Sequence, residues 1–379
     1  MKKTIAKVVF LTGILVAFSG TTSFALEWIQ VNLQSLSTEA TSTELYDLSS
    51  TNLRSLWGSG ADDIYVAGDI GPTGKGTVIR YNGSEWKVAN FTPADADRGL
   101  LSVWGIDDEN VFIGANTHRT IYHFNGSGWN KISSNTINGN TIAGFWGESV
   151  NRIWTPGSLK VILGYEYNMQ YLDIDSSDAN KAVNQPSTEY RMNLNGVWGS
   201  SESNVYVVGE YGCKISWGSC IDGTESNIIH TSEWKGDFTA VDTGSTATLY
   251  AIWGTAANDI FAVGAAGTVL HYDGSAWAAM ATPANTPDLK AVWGLSGASV
   301  YAVGNGGTIL YYDGSTWAEQ TSDTTEDLTG IWGAASDDIY ITGTGGTLLS
   351  SGAETPQPVC GDGKIEGDET CEADEDCPS

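Results

Sequence analysis

The residues of this 379-residue chain that could move protons, grip an anion or hold a metal are few: four His, six Arg and several short runs of carboxylates. His118, His123, His230 and His271 show no His-x-x-x-His or similar pairing, so they do not read as a zinc site. No Gly-x-Ser-x-Gly stretch accompanies them, and a Ser–His–acid hydrolase would need one His turned toward a nucleophile. His123, His271 and, nearby, His230 recur at a position that elsewhere holds Arg80 or Tyr311, which reads as a tolerant surface slot. A sialidase-type site would need several of Arg54, Arg80, Arg98, Arg119, Arg152 and Arg191 to converge on a carboxylate. Asp62-Asp63, Asp107-Asp108-Glu109 and Asp337-Asp338 each follow a Trp-Gly pair. Acid–base partners need unlike environments, so carboxylates recurring in one setting read as capped turns. In the tail, Asp362, Glu366, Asp368 and Glu369 could bind Ca²⁺ through oxygen, although their spacing is not that of an EF-hand loop. No cofactor is otherwise expected.

Binding chemistry is more visible than catalytic chemistry. Cys213 and Cys220 are close enough in sequence to close a small loop around Trp217, with Tyr211 at its start. An insertion over about residues 173–194 is flanked by Tyr165, Tyr167, Tyr171, Tyr190 and Arg191. Aromatic rings on a tethered loop can stack on a sugar or grip a peptide. We take Trp217, Tyr211, Tyr165, Tyr167, Tyr190 and Arg191 as candidate ligand-binding residues.

What must position them is a repeat. Trp-Gly recurs at Trp57, Trp104, Trp146, Trp198, Trp253, Trp293 and Trp332, 39 to 55 residues apart. The cleanest unit, Leu289 to Gln320, divides into four short segments of strand-like residues separated by LSGAS, GNGG and DGS. Gly supplies positive φ in such turns, and Asp or Asn before it suits a tight hairpin. Four antiparallel strands at this period are the signature of a propeller blade. The expected fold is therefore all-β, a seven-bladed propeller of four-stranded blades over residues 26–351.

The chain ends agree. The seventh unit has three strands and no fourth-strand Trp, whereas Leu26-Glu-Trp-Ile-Gln-Val31 looks like a fourth strand without its first three. The N-terminal strand is expected to complete the last blade and leave no free sheet edge. Fourth strands are expected to begin at Trp28, Trp86, Trp129, Trp234, Trp277 and Trp317, with Tyr171 at that place in unit three and Trp154 on its second strand. Trp217 alone of fifteen Trp has no repeat role.

Units such as WGTAANDIFAVGAAGTVLHYDGSAW (253–277) resemble the WG-x-x-x-x-D-[VI]-[YF]-A-V-G repeats of secreted bacterial β-propellers, frequent among myxobacteria. The AVGxxGTIL and DGSxW portions are similar to Asp-box-like propellers of the photosystem II assembly type and, more loosely, to kelch and galactose-oxidase-like propellers. The Asp273–Trp277 and Asp313–Trp317 spacing is one residue shorter than a sialidase Asp box. The resemblance implies a fold, and propellers host many chemistries. Cys360 to Cys377 resembles the CGDG…GDExC repeats that end many secreted myxobacterial proteins.

Composition sets the compartment and the partners. The net charge of −27 disfavours nucleic acid. Lys2, Lys3 and Lys7, the apolar run Val8 to Phe18 and the small residues at Ser23 and Ala25 form an export signal, 1–25. No later run is long enough to span a bilayer. The mature chain is expected to be a monomer in the periplasm, at the cell surface or outside the cell. Residues 352–359 read as a linker and 360–379 as a Cys-rich acidic tail. Cys213, Cys220, Cys360, Cys371 and Cys377 are expected to be oxidised, with one left over. The function expected is recognition or scaffolding: a glycan or protein ligand held by loops on one ring face. The alternatives are a secreted glycan-active enzyme, sialidase-like hydrolase or lyase, with an axial site, and a cell-surface structural repeat protein.

Overall fold

The computed structural model describes residues 26–34, 36–39, 45–69, 76–91, 99–115, 120–132, 141–150, 152–162, 165–172, 190–216, 219–233 and 237–351. The expected export signal (1–25), linker (352–359) and Cys-rich tail (360–379) lie outside these residues, as do Trp217, Trp234, His118, Cys360, Cys371 and Cys377.

Each unit places its Trp-Gly strand innermost and steps outward by antiparallel hairpins. In unit six the strands are Leu289–Ser296, Ser299–Gly304, Ile309–Tyr312 and Trp317–Gln320. Trp293 pairs with Tyr301 and Tyr301 with Tyr311, a row of rings on one face of the sheet; Tyr312 pairs with Trp317 on the opposite face. Each inner strand lies against that of the next unit, and unit seven's against unit one's. The fold is an all-β propeller, and the described residues contain only two three-residue helical turns, Ala265–Gly267 and Asn305–Gly307. Ile29 pairs with Ser350 and Gln30 with Leu349, antiparallel, so the N-terminal segment is the outer strand of unit seven. Trp28 is buried beside Tyr301 and Leu349.

The expectation of seven four-stranded blades needs correction. Six units form sheets of at least four strands, whereas unit three has three among the described residues: Trp146–Ser149, Arg152–Ile162 and Tyr165–Leu172. Tyr171 belongs to the third of these, opposite Trp154, and does not begin a fourth strand. The cause is a long second-to-third hairpin, which moves the third strand to where a fourth would be counted from the sequence. In unit four the outer strand is Thr239–Ala240, beyond the Trp234 expected to open it. Unit four has six strands, because Tyr190–Arg191 and Ser219–Cys220 both pair with its long second strand, Asn204–Ser216. A further hairpin, Leu36–Ser37 with Leu45–Tyr46, lies along the outer strand of unit one: Thr38 bridges Val88, and Glu39 N–H donates to the Val88 carbonyl.

Two kinds of contact join neighbouring units. In the first, the inner Trp of one unit lies on the Gly of the next. A Cβ at Gly105 would stand 2.5–2.8 Å from three atoms of the Trp57 ring. Trp146 covers Gly199 in this way, Trp198 covers Gly254, Trp253 covers Gly294, Trp293 covers Gly333 and Trp332 covers Gly58. The Gly of Trp-Gly is thus a landing site for the neighbour's indole. In the second, an outer-strand ring meets the second-strand ring of the preceding unit: Trp86 on Tyr340, Trp129 on Tyr65, Phe238 on Trp154, Trp277 on Tyr206, Trp317 on Phe261 and Trp28 on Tyr301. Their centroids are 5.4–6.2 Å apart in the first four and 6.2–6.4 Å in the last two, with planes near edge-on, a favourable geometry for ring quadrupoles. The seam between units two and three differs on both counts. The atoms nearest Gly147 are the Arg152 carbonyl and the Ile153 backbone, and the seam is filled by Phe112, Ile142, Phe145 and Ile153.

Candidate functional site

The direction of the strands sorts the connections. First-to-second and third-to-fourth turns share one face; second-to-third turns and the links between units share the other. On this second face the regular units close compactly. In unit five Ala265–Gly267 makes the turn, with Ala266 and Gly267 at positive φ (51° and 67°). Units three and four replace this turn with projecting hairpins. In unit three Lys160 pairs with Tyr167 and Ile162 with Tyr165. In unit four the second strand continues to Ser216, and the disulfide Cys213–Cys220 clamps the projection with its Cα atoms 5.6 Å apart.

Local sequence builds that projection. Ile221 N–H donates to the Lys214 carbonyl (2.8 Å). Thr224 Oγ1 accepts from Lys214 N–H (3.0 Å) and donates to the Ile221 carbonyl (2.6 Å). Gly223, at φ 78°, turns the chain back toward the sheet. Beneath it, the buried Asn227 donates to the carbonyls of Ser245 and Ala247 and accepts from Thr243 Oγ1, which fixes the link to unit five. Thr224 occupies no repeated position, and Asn227 stands where other units carry Thr77, Thr120, Thr268, Thr308 and Thr347, so the sequence signal for it is a single departure from the repeat.

The sequence-derived candidates are largely gathered here. Tyr190 pairs with Lys214 and Arg191 with Cys213, so the end of the insertion docks on the clamped strand. The strand Tyr165–Leu172, which carries Tyr165 and Tyr167, adjoins Tyr190–Arg191. Tyr211 is one of few large exposed hydrophobic residues, 46% accessible. Trp217, between the two cysteines in sequence, lies outside the described residues.

The His positions differ from expectation. The slot is structural, buried at His123 and half-buried at His230 and His271. His123 stacks on Phe112, His230 on Tyr206 and His271 on Phe261, with centroids 4.3–4.4 Å apart. Their Nε2 atoms face Asn110, Asn204 and Asp259 at the start of the second strand. In unit one Arg80 lies over the Tyr65 ring and bonds Asp63 and Glu39. Asp63 is therefore an ion-pair partner, whereas Asp107 caps its turn through Glu109 N–H and the Asn110 side chain. Burial pushes the His123 and His230 imidazoles below their usual range, with Asp107 opposing at His123. The unfolded chain therefore binds more protons there, and stability falls as pH drops below about 6.5 toward the lowered native values. Urea midpoints across this window should fall with acidification, and His123→Gln with His230→Gln should flatten that part of the slope. An unchanged slope would contradict the burial argument.

Arg54, Arg80 and Arg152 do not converge. Arg54 bonds Asp69, Arg80 bonds Asp63, and Arg152 bonds Glu202, each at a different strand level. On inner strands of adjacent units, Lys290 lies 3.7 Å from the Tyr250 ring centroid, and both side chains bond Asp288. Asp288 also accepts from Ala266 N–H, and these bonds hold its carboxyl below the ordinary range. Among the described residues no three His, Cys, Asp or Glu are grouped to hold a metal. A polar cleft of about 520 Å³ lies on the hairpin-bearing face between units six and seven, lined by Gly306, Gly307 and residues 319–325.

No family model matches the chain, and no curated protein matches it. Solved structures do. YCF48 bound to D1 peptide is 14% identical with a TM-score of 0.59, covering 89% of this chain and 100% of that one. A catalytically inactive virginiamycin B lyase from Staphylococcus aureus, solved with Quinupristin, is 11% identical with a TM-score of 0.59, covering 86% and 99%. The WD40 β-propeller domain of Doa1 is 10% identical with a TM-score of 0.51, covering 87% and 97%. At these identities the likeness is one of fold: this chain is built as a β-propeller.

Proposed function

We propose that this chain is an exported, non-enzymatic recognition propeller that binds an extended peptide segment of another protein at the rim formed by units three and four. The observation that carries the reading is the pair of adjacent projecting hairpins with the Tyr190–Arg191 strand docked between them. Units five and six close the same connection in three residues. Loops that depart from a repeat on one face of a rigid scaffold are where binding residues concentrate. Strand ends offer main-chain donors and acceptors to an extended partner, and Tyr211 offers a ring. A solved propeller of similar fold is described as bound to a peptide. Export is proposed on the basic, apolar and small-residue order of residues 1–25, with which a clamped Cys213–Cys220 pair is consistent. Tyr165 and Tyr167 stand on the unit-three hairpin of this rim.

The test replaces residues 210–225 of the full chain by the Asn-Gly-Gly turn of unit six. Intact and replaced proteins are applied to arrays of random peptides and of glycans. The reading expects peptide signals from the intact protein that fall at least about tenfold in the replaced one, a loss of roughly 1.4 kcal/mol or more. Equal peptide signals from both, or signals confined to glycans, would contradict it.

A further inference from the structure

Four units make their third-to-fourth turn from one pattern with two chemistries. Units one and two use Asn82-Gly-Ser-Glu and Asn125-Gly-Ser-Gly; units five and six use Asp273-Gly-Ser-Ala and Asp313-Gly-Ser-Thr. The geometry is the same in all four. The glycines sit at φ 81–91°. Asn82 Oδ1 accepts from Ser84 N–H (3.1 Å), Ser84 Oγ–H (2.9 Å) and Glu85 N–H (3.0 Å). Asn125 Oδ1 accepts the equivalent three bonds at 3.2, 2.9 and 3.1 Å. At Asp273 the three distances are 2.8, 2.6 and 3.0 Å, and at Asp313 they are 2.9, 2.7 and 2.8 Å. Bonds to a charged acceptor are the shorter and stronger kind. They hold both aspartates down at about 2.

We infer that Asn82 and Asn125 are sites of spontaneous deamidation, at which the turn itself promotes hydrolysis and the product is the cap that units five and six already use. The following glycine has no side chain to shield its amide nitrogen. That nitrogen attacks Cγ, its proton goes to solvent base, and the carbonyl electrons move to Oδ1. The negative charge develops on the atom that three donors already face, the arrangement that stabilises an oxyanion. Collapse of the intermediate expels the side-chain nitrogen, protonated by solvent, as ammonia and leaves a succinimide. Water opens the ring, and attack at Cγ gives aspartate. The turns are solvent-exposed, so water reaches them. The aspartate restores the three-donor cap with a full charge, whereas opening at the main-chain carbonyl would lengthen the backbone and break the turn. The modification adds negative charge to units one and two without altering the fold.

The experiment ages the full chain in mildly alkaline buffer and follows Asn-Gly sites by peptide mass mapping, with Asp and isoAsp separated by chromatography. Asn305-Gly306 is the internal comparison, since Asn305 enters its turn through a main-chain carbonyl that accepts from Thr308. Asn82 and Asn125 should convert faster than Asn305, with Asp as the main product. Ser84→Ala should slow Asn82 by about threefold or more, the worth of one hydrogen bond, and leave Asn125 unchanged; Ser127→Ala should do the reverse. Conversion no faster than at Asn305, or rates unmoved by both Ser variants, would overturn the inference.

Discussion

Trp28→Ala is expected to destabilise the folded chain by about 3–5 kcal/mol, the range for truncating a large buried aromatic side chain. Trp28 does three things at once. Its ring is 6% exposed and packs with Val303, Ile309, Leu328 and Leu349. It meets Tyr301 edge-on, and its Nε1 donates to Gln320 Oε1 (3.3 Å), both in unit six. It also anchors the segment whose Val31 N–H donates to the Leu348 carbonyl (2.8 Å). Its loss therefore loosens the outer strand of unit seven and the contact between units six and seven together. Leu348 and Leu349 would then border an unpaired sheet edge, which templates aggregation. Urea unfolding followed by Trp fluorescence, with light scattering for aggregation, checks this. A loss below about 1 kcal/mol would mean that the ring holds without its outer strand.

The second large effect concerns the inner seam. Gly105→Ala is expected to cost about 1–3 kcal/mol, because the new methyl has no free space beside the Trp57 ring. All three of its nearest atoms belong to that indole, so Trp57→Leu should relieve the clash. The double variant should be less destabilised than the sum of the two single variants, a coupling of about 0.5–3 kcal/mol for residues in contact. Gly60→Ala serves as the reference, since nothing lies within 4 Å of a Cβ there, and it should be nearly neutral. Additive effects at Gly105 and Trp57 would show that Trp-Gly is not the lock between units.

The propeller was legible because a period repeated through the chain averages out local ambiguity. The closure was legible because Leu26–Val31 and Leu348–Ser350 are complementary fragments of one pattern. The reason for Gly after six of the seven Trp was hidden, because the indole it must admit belongs to the neighbouring unit, Trp57 for Gly105 and, across the closure, Trp332 for Gly58. Unit three was misread because alignment to the repeat put Tyr171 at a fourth strand; hydrogen bonding puts it opposite Trp154. Phe238 meets Trp154 across the next seam, a ring contact that no Trp count reveals. The His slot looked tolerant because His, Arg and Tyr share it. All three are planar or ring-bearing groups able to lie on an aromatic face while reaching an oxygen, so the constraint is real but is not one of residue type. For the candidate site, the cysteine spacing marked the clamped projection correctly, while the pairing of Tyr190–Arg191 with it depends on a register that the irregular insertion conceals.

The architecture, and with it the assignment of both projecting hairpins to one face, rests on the N-terminal strand closing the ring. Amide hydrogen exchange of the intact chain tests this most directly. The peptide covering residues 29–31 should exchange far more slowly than a free peptide, since this segment pairs with 349–350 and Val31 N–H donates to the Leu348 carbonyl, whereas 348–351 is held on its other side by 339–342 as well. Exchange of residues 29–31 at the rate of a free peptide, with 348–351 still protected, would contradict the closure.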